Sequence, residues 1–122
     1  MAKIVHDDVL DGAFLVLDDA NLMILCSAQP TTRAEAVTTY ALADVAMTPV
    51  TDFAKANGDT SGRKVTVAAK SAVPVDASGT GTHVALVDAT RLLFVTTCTS
   101  QAVTAGNTVN FPAWDDEIAD PV

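Results

Sequence analysis

A chain of 122 residues and 12.6 kDa has the length of one ordinary domain, able to withdraw roughly two thirds of its unfolded surface from water without a disulfide or metal staple. A formal charge of −8, a pI near 4.3 and seven basic residues scattered along the sequence exclude a basic face for phosphate backbones, so direct nucleic-acid binding is not expected. Apolar residues make up 49% but aromatics only 5%, so the core must be assembled from Val, Ala and Leu, and the mean hydropathy of +0.31 leaves apolar surface that we expect to be covered between subunits.

From Asp7 the chain reads HDDVLDGAFLVLDDAN, where Asp7 or Asp8 can cap a helix and Val9, Leu10, Ala13, Phe14 and Leu17 recur at helical spacing; the pattern predicts a short amphipathic helix over about 7–20. Leu22 to Ser27 is apolar on both faces and runs into Gln29-Pro30, which suits a central strand ending at a turn. In TTRAEAV, Thr32 precedes Glu35 by the capping-box spacing, and one or two helical turns are expected. A strand near Ala43 to Val50 follows, with its pairing open.

Asn57 to Gly62 is a loop by composition, since Asn and Gly tolerate positive φ and Asp, Thr and Ser bond neighbouring backbone groups. Beyond it Val65, Val67 and Ala69 alternate with Lys64, Thr66, Ala68 and Lys70, the pattern of a strand with one packed face and one wet one. Val73-Pro74-Val75 belongs at a sheet edge, because proline gives no amide to a ladder. Asp76 to Gly81 predicts a turn. Thr82 to Asp88 and Leu92 to Thr97 predict a hairpin of long strands, and Ala105-Gly106-Asn107 turns the chain into Thr108 to Phe111. Pro112 interrupts that strand before Trp114, and residues 115–119 form a last strand or lie along the surface. Helical signals crowd into the first 37 residues, so the expected fold class is mainly β, an antiparallel β-sandwich with a short N-terminal helical element, in a single domain over 1–122.

Reactive constellations are scarce. His6, Asp7 and Asp8, with His83 and Asp88, are the nearest thing to a metal set, but consecutive residues rarely point at one ion and the two aspartates serve a helix start. GDTSGRK has three residues between its glycines where a phosphate loop needs four, and GTGTH lacks the third glycine and the following helix of a dinucleotide site. There is no GxSxG elbow and no calcium-loop pattern. The expectation is therefore no enzyme, with no catalytic, cofactor-binding or metal residue and no cofactor. Cys26 and Cys98 read as two buried thiols, or as a disulfide if their strands are neighbours. Two cysteines and an N-terminus without a long apolar stretch suggest production in a reducing cytoplasm, and no run approaches the about 18 apolar residues of a membrane span, so no membrane partner is expected.

DDVLDGA, LCSAQPTTRAEA, NGDTSGRKVTV, HVALVD, LLFVTTCTSQAVTAGNTVNFPAW and EIADP resemble, over nearly the whole chain, a family of small structural proteins encoded by tailed bacteriophages and prophages. VTTCTSQ, TAGNTV and PAW are the more characteristic pieces. Asp116 departs from the pattern, standing where strand alternation toward Ile118 favours an apolar residue. The resemblance implies a virion protein made in the host bacterial cytoplasm, with the major capsid protein or other virion proteins as partners. An acidic chain fits the outside of the head better than the DNA-facing side, so a decoration or cement protein, a homo-oligomer with a trimer as one arrangement, is the leading expectation. The alternative is a tail, neck or baseplate component or a host-adhesion module, although few aromatics are available for stacking on sugars.

Overall fold

The computed structural model describes residues 5–119. It is mainly β, with antiparallel pairing throughout and one short α-helix near the N-terminus. The elements are α1 (Asp7–Leu17), β1 (Leu22–Cys26), a π-helical turn (Glu35–Thr39), β2 (Ala41–Ala46), β3 (Phe53–Asn57), β4 (Arg63–Val67), β5 (Lys70–Pro74), β6 (Gly79–Val87), β7 (Leu92–Val103), β8 (Thr108–Phe111) and β9 (Trp114–Ile118). A four-stranded sheet in the order β2-β1-β6-β7 is backed by a second layer made of β3-β4-β9 and the ribbon β5-β8. The main core lies between them, where Met23, Leu25, Leu86 and Val84 of the first sheet meet Phe53, Val65, Val67, Val73, Val109 and Phe111. Val65 and Val67 are fully buried, and each contributes about 2 kcal/mol by leaving water.

Alternation governs both faces of β1 and β6. Ile24, Cys26, Ala85 and Val87 form a second cluster on the outer face, packed with Ala36, Val37 and Tyr40 of the π-helical segment. That segment is held by the predicted cap in a shifted form. The Glu35 amide donates to Thr32 Oγ1 at 3.1 Å, while the Glu35 carboxylate accepts from the amide and hydroxyl of Thr31 instead of returning to Thr32. These two bonds lower the Glu35 pKa. Arg33 reaches across to donate to the Asp88 carbonyl at 2.8 Å.

Several boundaries differ from expectation. The helix ends at Leu17, not near 20, with Asp18 as its cap. The strand expected near Ala43 to Val50 runs from Ala41 to Ala46, and the chain then turns through Val50 at a φ of 67°. Ala69 lies outside β4. The turn after β5 is shorter than predicted, because Gly79 and Gly81 belong to β6: a Cβ on Gly81 would stand 2.6 Å from Leu25 Cδ1, so these glycines admit a neighbouring side chain and do not bend the chain. β7 continues past Thr97 to Val103. Residues 114–118 do form a strand, paired along β4 from Val67↔Trp114 to Arg63↔Ile118. Gly62, at a φ of +72°, permits that pairing, since a Cβ there would lie 1.9 Å from the Ile118 carbonyl oxygen.

Candidate functional site

Of the apolar residues at helical spacing in α1, Phe14 and Leu17 are buried in the core and Leu10 is half-buried, while Val9 and Ala13 stay exposed. Asp7, Asp11, Phe14 and Asp18 are spaced four, three and four apart and so share one line of the helix. Arg63 meets Asp11 in a two-point contact at 2.9 and 3.2 Å and lies 4.0 Å from Asp7, while Lys55 of β3 pairs with Asp18, which is 2% exposed. Ion pairs thus fix the rotation of α1 on the second layer. As a consequence, Val9 and Val16 remain 66% and 45% exposed, with Ala13 exposed between them, an apolar stripe that nothing among the described residues covers.

This stripe adjoins β7. Ala13 and Val16 share a hollow of about 200 Å³ with Leu93, Phe94, Asp116 and Ile118. Farther along the strand a second groove of about 200 Å³ runs between Thr96, Thr97 and Cys98 on one side and Phe111, Pro112 and Trp114 on the other. Phe94 stacks on Trp114 with ring centroids 5.6 Å apart, and the Trp114 indole N–H is buried without an acceptor. The sandwich is therefore open along β7. Leu92 to Thr96 are all half-buried, and β7 is an edge, paired with β6 on one side and with no strand among the described residues on the other. From Leu92 to Val103 it carries no charge, proline or glycine.

The electrostatics around this strip are one-sided. Each of the six described basic residues has an internal partner: Arg33 on the Asp88 carbonyl, Lys55 on Asp18, Arg63 on Asp11, Lys64 on Asp59 and Asp115, Lys70 on Asp52, and Arg91 on Asp88. The excess charge on the chain is acidic, and Arg91, beside the start of β7, stays half-exposed. Asp116 faces inward from β9, and burial raises its pKa. At the β6–β7 turn the Asp88 carboxylate accepts from the Thr90 and Arg91 amides at 2.9 and 2.6 Å and from Arg91 Nε at 2.7 Å, and these bonds, Thr90 first, hold its pKa at about 2.

The residues weighed in the sequence as metal ligands are dispersed. His6 is the helix cap, its Nδ1 accepting from the Asp8 amide at 3.1 Å, so the cap is neither Asp7 nor Asp8, which occupy the first turn. His83 stands opposite Cys26 in the β1–β6 register and bonds Thr82 Oγ1 at 2.8 Å, and Asp88 is committed to its turn. Among the described residues no group of three or more His, Cys, Asp or Glu could hold a metal ion. The phosphate-loop look-alike is the β3–β4 turn, closed by the Gly58 amide on the Gly62 carbonyl at 2.9 Å. Cys26 and Cys98 are free thiols in separate packing clusters, Cys26 within the outer one and Cys98 against the main core. Cys26 is buried and its pKa is pushed up to about 11, by burial first and the nearby Cys98 second, whereas Cys98 is only half-buried, not the second buried thiol expected.

Among the described residues no helix is long and apolar enough to cross a membrane. No protein-family model matches the chain, and neither a curated protein nor a solved structure shows significant similarity to it. The described residues thus bring together an uncharged sheet edge, an apolar helix stripe beside it and two shallow grooves. The signal for it in the sequence was the charge-free run 92–103 set against the acidic run 115–117.

Proposed function

We propose that this chain is a structural protein of the virion of a tailed bacteriophage or prophage, a decoration or cement protein on the outer head surface that stabilises the shell through protein–protein contacts. The observation that supports this reading is the open β7 side, an uncharged contact strip on a molecule whose described cations are all spent on internal partners. An acidic exterior with its basic groups so committed is repelled by packaged DNA and suits a position outside the shell. Many symmetry-related copies make weak contacts collectively strong, because each contact after the first is effectively intramolecular.

Quantitative mass spectrometry of purified particles tests the proposal. A copy number comparable with the major capsid protein supports decoration, a number near that of tail components supports a tail, neck or baseplate position, and absence from particles removes the virion reading altogether. Particles lacking the protein should release DNA at lower temperature and after milder osmotic shock than complete ones. Unchanged release argues against cementing.

A further inference from the structure

We propose that β7 is a self-pairing edge: two copies of this chain join antiparallel along β7 about a two-fold axis, merging their four-stranded sheets into one continuous sheet across the dimer. The inference rests on reading the open side as a protein-docking surface and names its occupant as a second copy.

The other edges are each obstructed. Along β2, Val75 bridges to Ala43, and the Leu42 carbonyl accepts from the Asp76 and Ala77 amides at 2.8 and 3.1 Å. β3 is five residues long, and its Lys55 turns inward to pair with Asp18. β5 is broken by a bulge between Lys70 and Val73, with Ala72 at a φ of 54°, and ends on Pro74; β8 has four residues and is followed by Pro112. β9 carries Asp116 inward and Asp115 and Glu117 outward. Short length, lysine, proline, bulges and inward charge are the devices by which sheets prevent edge-to-edge pairing. In β7 the stretch Phe94 to Thr97 is a regular, uncharged ladder, and bulges appear only at its two ends, between the Leu86 and Val87 pairings and between the Gly81 and His83 pairings.

Geometry and charge favour a second copy over an unrelated strand. An antiparallel edge is complementary to itself under a two-fold rotation, since each outward amide then meets an outward carbonyl. The contact is neutral against neutral, so a copy carrying the same −8 brings no like charge into the ladder itself. A basic segment would find no carboxylate on β7. With one unobstructed edge among the described residues the assembly closes at a dimer, and the flanking bulges confine regular pairing to residues 94–97. The α1 stripe of Val9, Ala13 and Val16 lies on the same flank and widens the apolar contact beyond the ladder.

Sedimentation equilibrium of the full chain from micromolar to millimolar concentration tests this, together with the Thr97→Lys variant. Thr97 is exposed, so the variant should fold, which circular dichroism verifies. The expected result is a monomer–dimer equilibrium that tightens with added salt, as repulsion between the two acidic bodies is screened, and that Thr97→Lys weakens by about tenfold or more. Amide exchange in 93–97 should slow as concentration rises while 115–118 stays unchanged. A monomer at the highest concentration overturns the proposal, as does a dimer indifferent to Thr97→Lys or protection that appears at another edge. A monomeric protein found at high copy number in particles would sink the self-pairing and leave the virion reading standing; a β7 dimer absent from particles would do the reverse.

Discussion

β7 and β9 lie over one another at the open side of the sandwich, joined by the Phe94–Trp114 stack, and both are sheet edges, yet only one is built to stay unpaired. β9 turns Asp116 toward the interior, where burial raises its pKa, and holds Asp115 to Thr66 at 2.7 Å on the outer face. β7 has no ionisable side chain except its half-buried thiol. The lesson is that a residue which spoils a strand's pattern can be the one that keeps the strand from sticking. Asp116 costs desolvation in the monomer and, together with Asp115 and Glu117 on the outer face, protects the β9 edge from pairing.

The contrast depends first on β9 being docked at all. Gly62→Ala should be the most damaging change, by about 3 kcal/mol or more, because it combines a disfavoured φ with a collision against the Ile118 carbonyl. Urea unfolding should show the loss, and fluorescence of Trp114 should report a β9 more exposed to water in the native baseline. A variant as stable as the parent would mean that β9 does not need the close approach seen at Gly62.

Next in size is the removal of the inward charge. Asp116→Val should raise stability by about 1 kcal/mol by relieving the desolvation, and at the same time produce species larger than a dimer, since β9 then keeps charge only on its outer face, in Asp115 and Glu117. Light scattering against concentration distinguishes this from simple stabilisation. Acid should act on the two strands in opposite senses. A carboxyl whose pKa is raised in the fold favours its protonated form, so the Asp116 contribution is present at low pH and lost as pH rises through its elevated value. Asp88, held at about 2, works the other way: the stability it gives the β6–β7 turn is present above the ordinary value of 3.8 and disappears as pH falls toward 2. Between these limits acidification should loosen the turn that presents β7 while making β9 more adhesive. Asp88→Asn should flatten the first effect and Asp116→Asn the second.

The smallest effect should come from the turn after β2. Val50 adopts a φ of 67°, unfavourable for a β-branched side chain, and is 61% exposed, so Val50→Gly should gain about 1 kcal/mol without altering association. A change in the monomer–dimer equilibrium there would show that the association surface extends beyond the β7 side.

Local pattern carried much of the fold. The hairpin of β6 and β7 was legible because Val, Leu, Phe and Thr flank a four-residue polar turn, and β4 because Val65 and Val67 alternate with Lys64 and Thr66, all of it a matter of neighbours in the chain. The capping residues around Glu35 and the open loop at Asn57 to Gly62 were readable for the same reason. Gly79 and Gly81 were misread because only the packed structure brings Leu42 and Leu25 against them. The apolar stripe of α1 was legible in Phe14 and Leu17, but the exposure of Val9 and Ala13 was not, since Arg63 and Lys55, more than thirty residues away, pair with Asp11 and Asp18 and set how the helix sits. Whether the cysteines could meet, which strand closes each edge and which edge is left bare are likewise consequences of strand order. Periodicity records how a segment divides apolar from polar, and strand order, fixed by long-range packing and ion pairs, determines which of those faces meets another part of the chain and which is left to meet a partner.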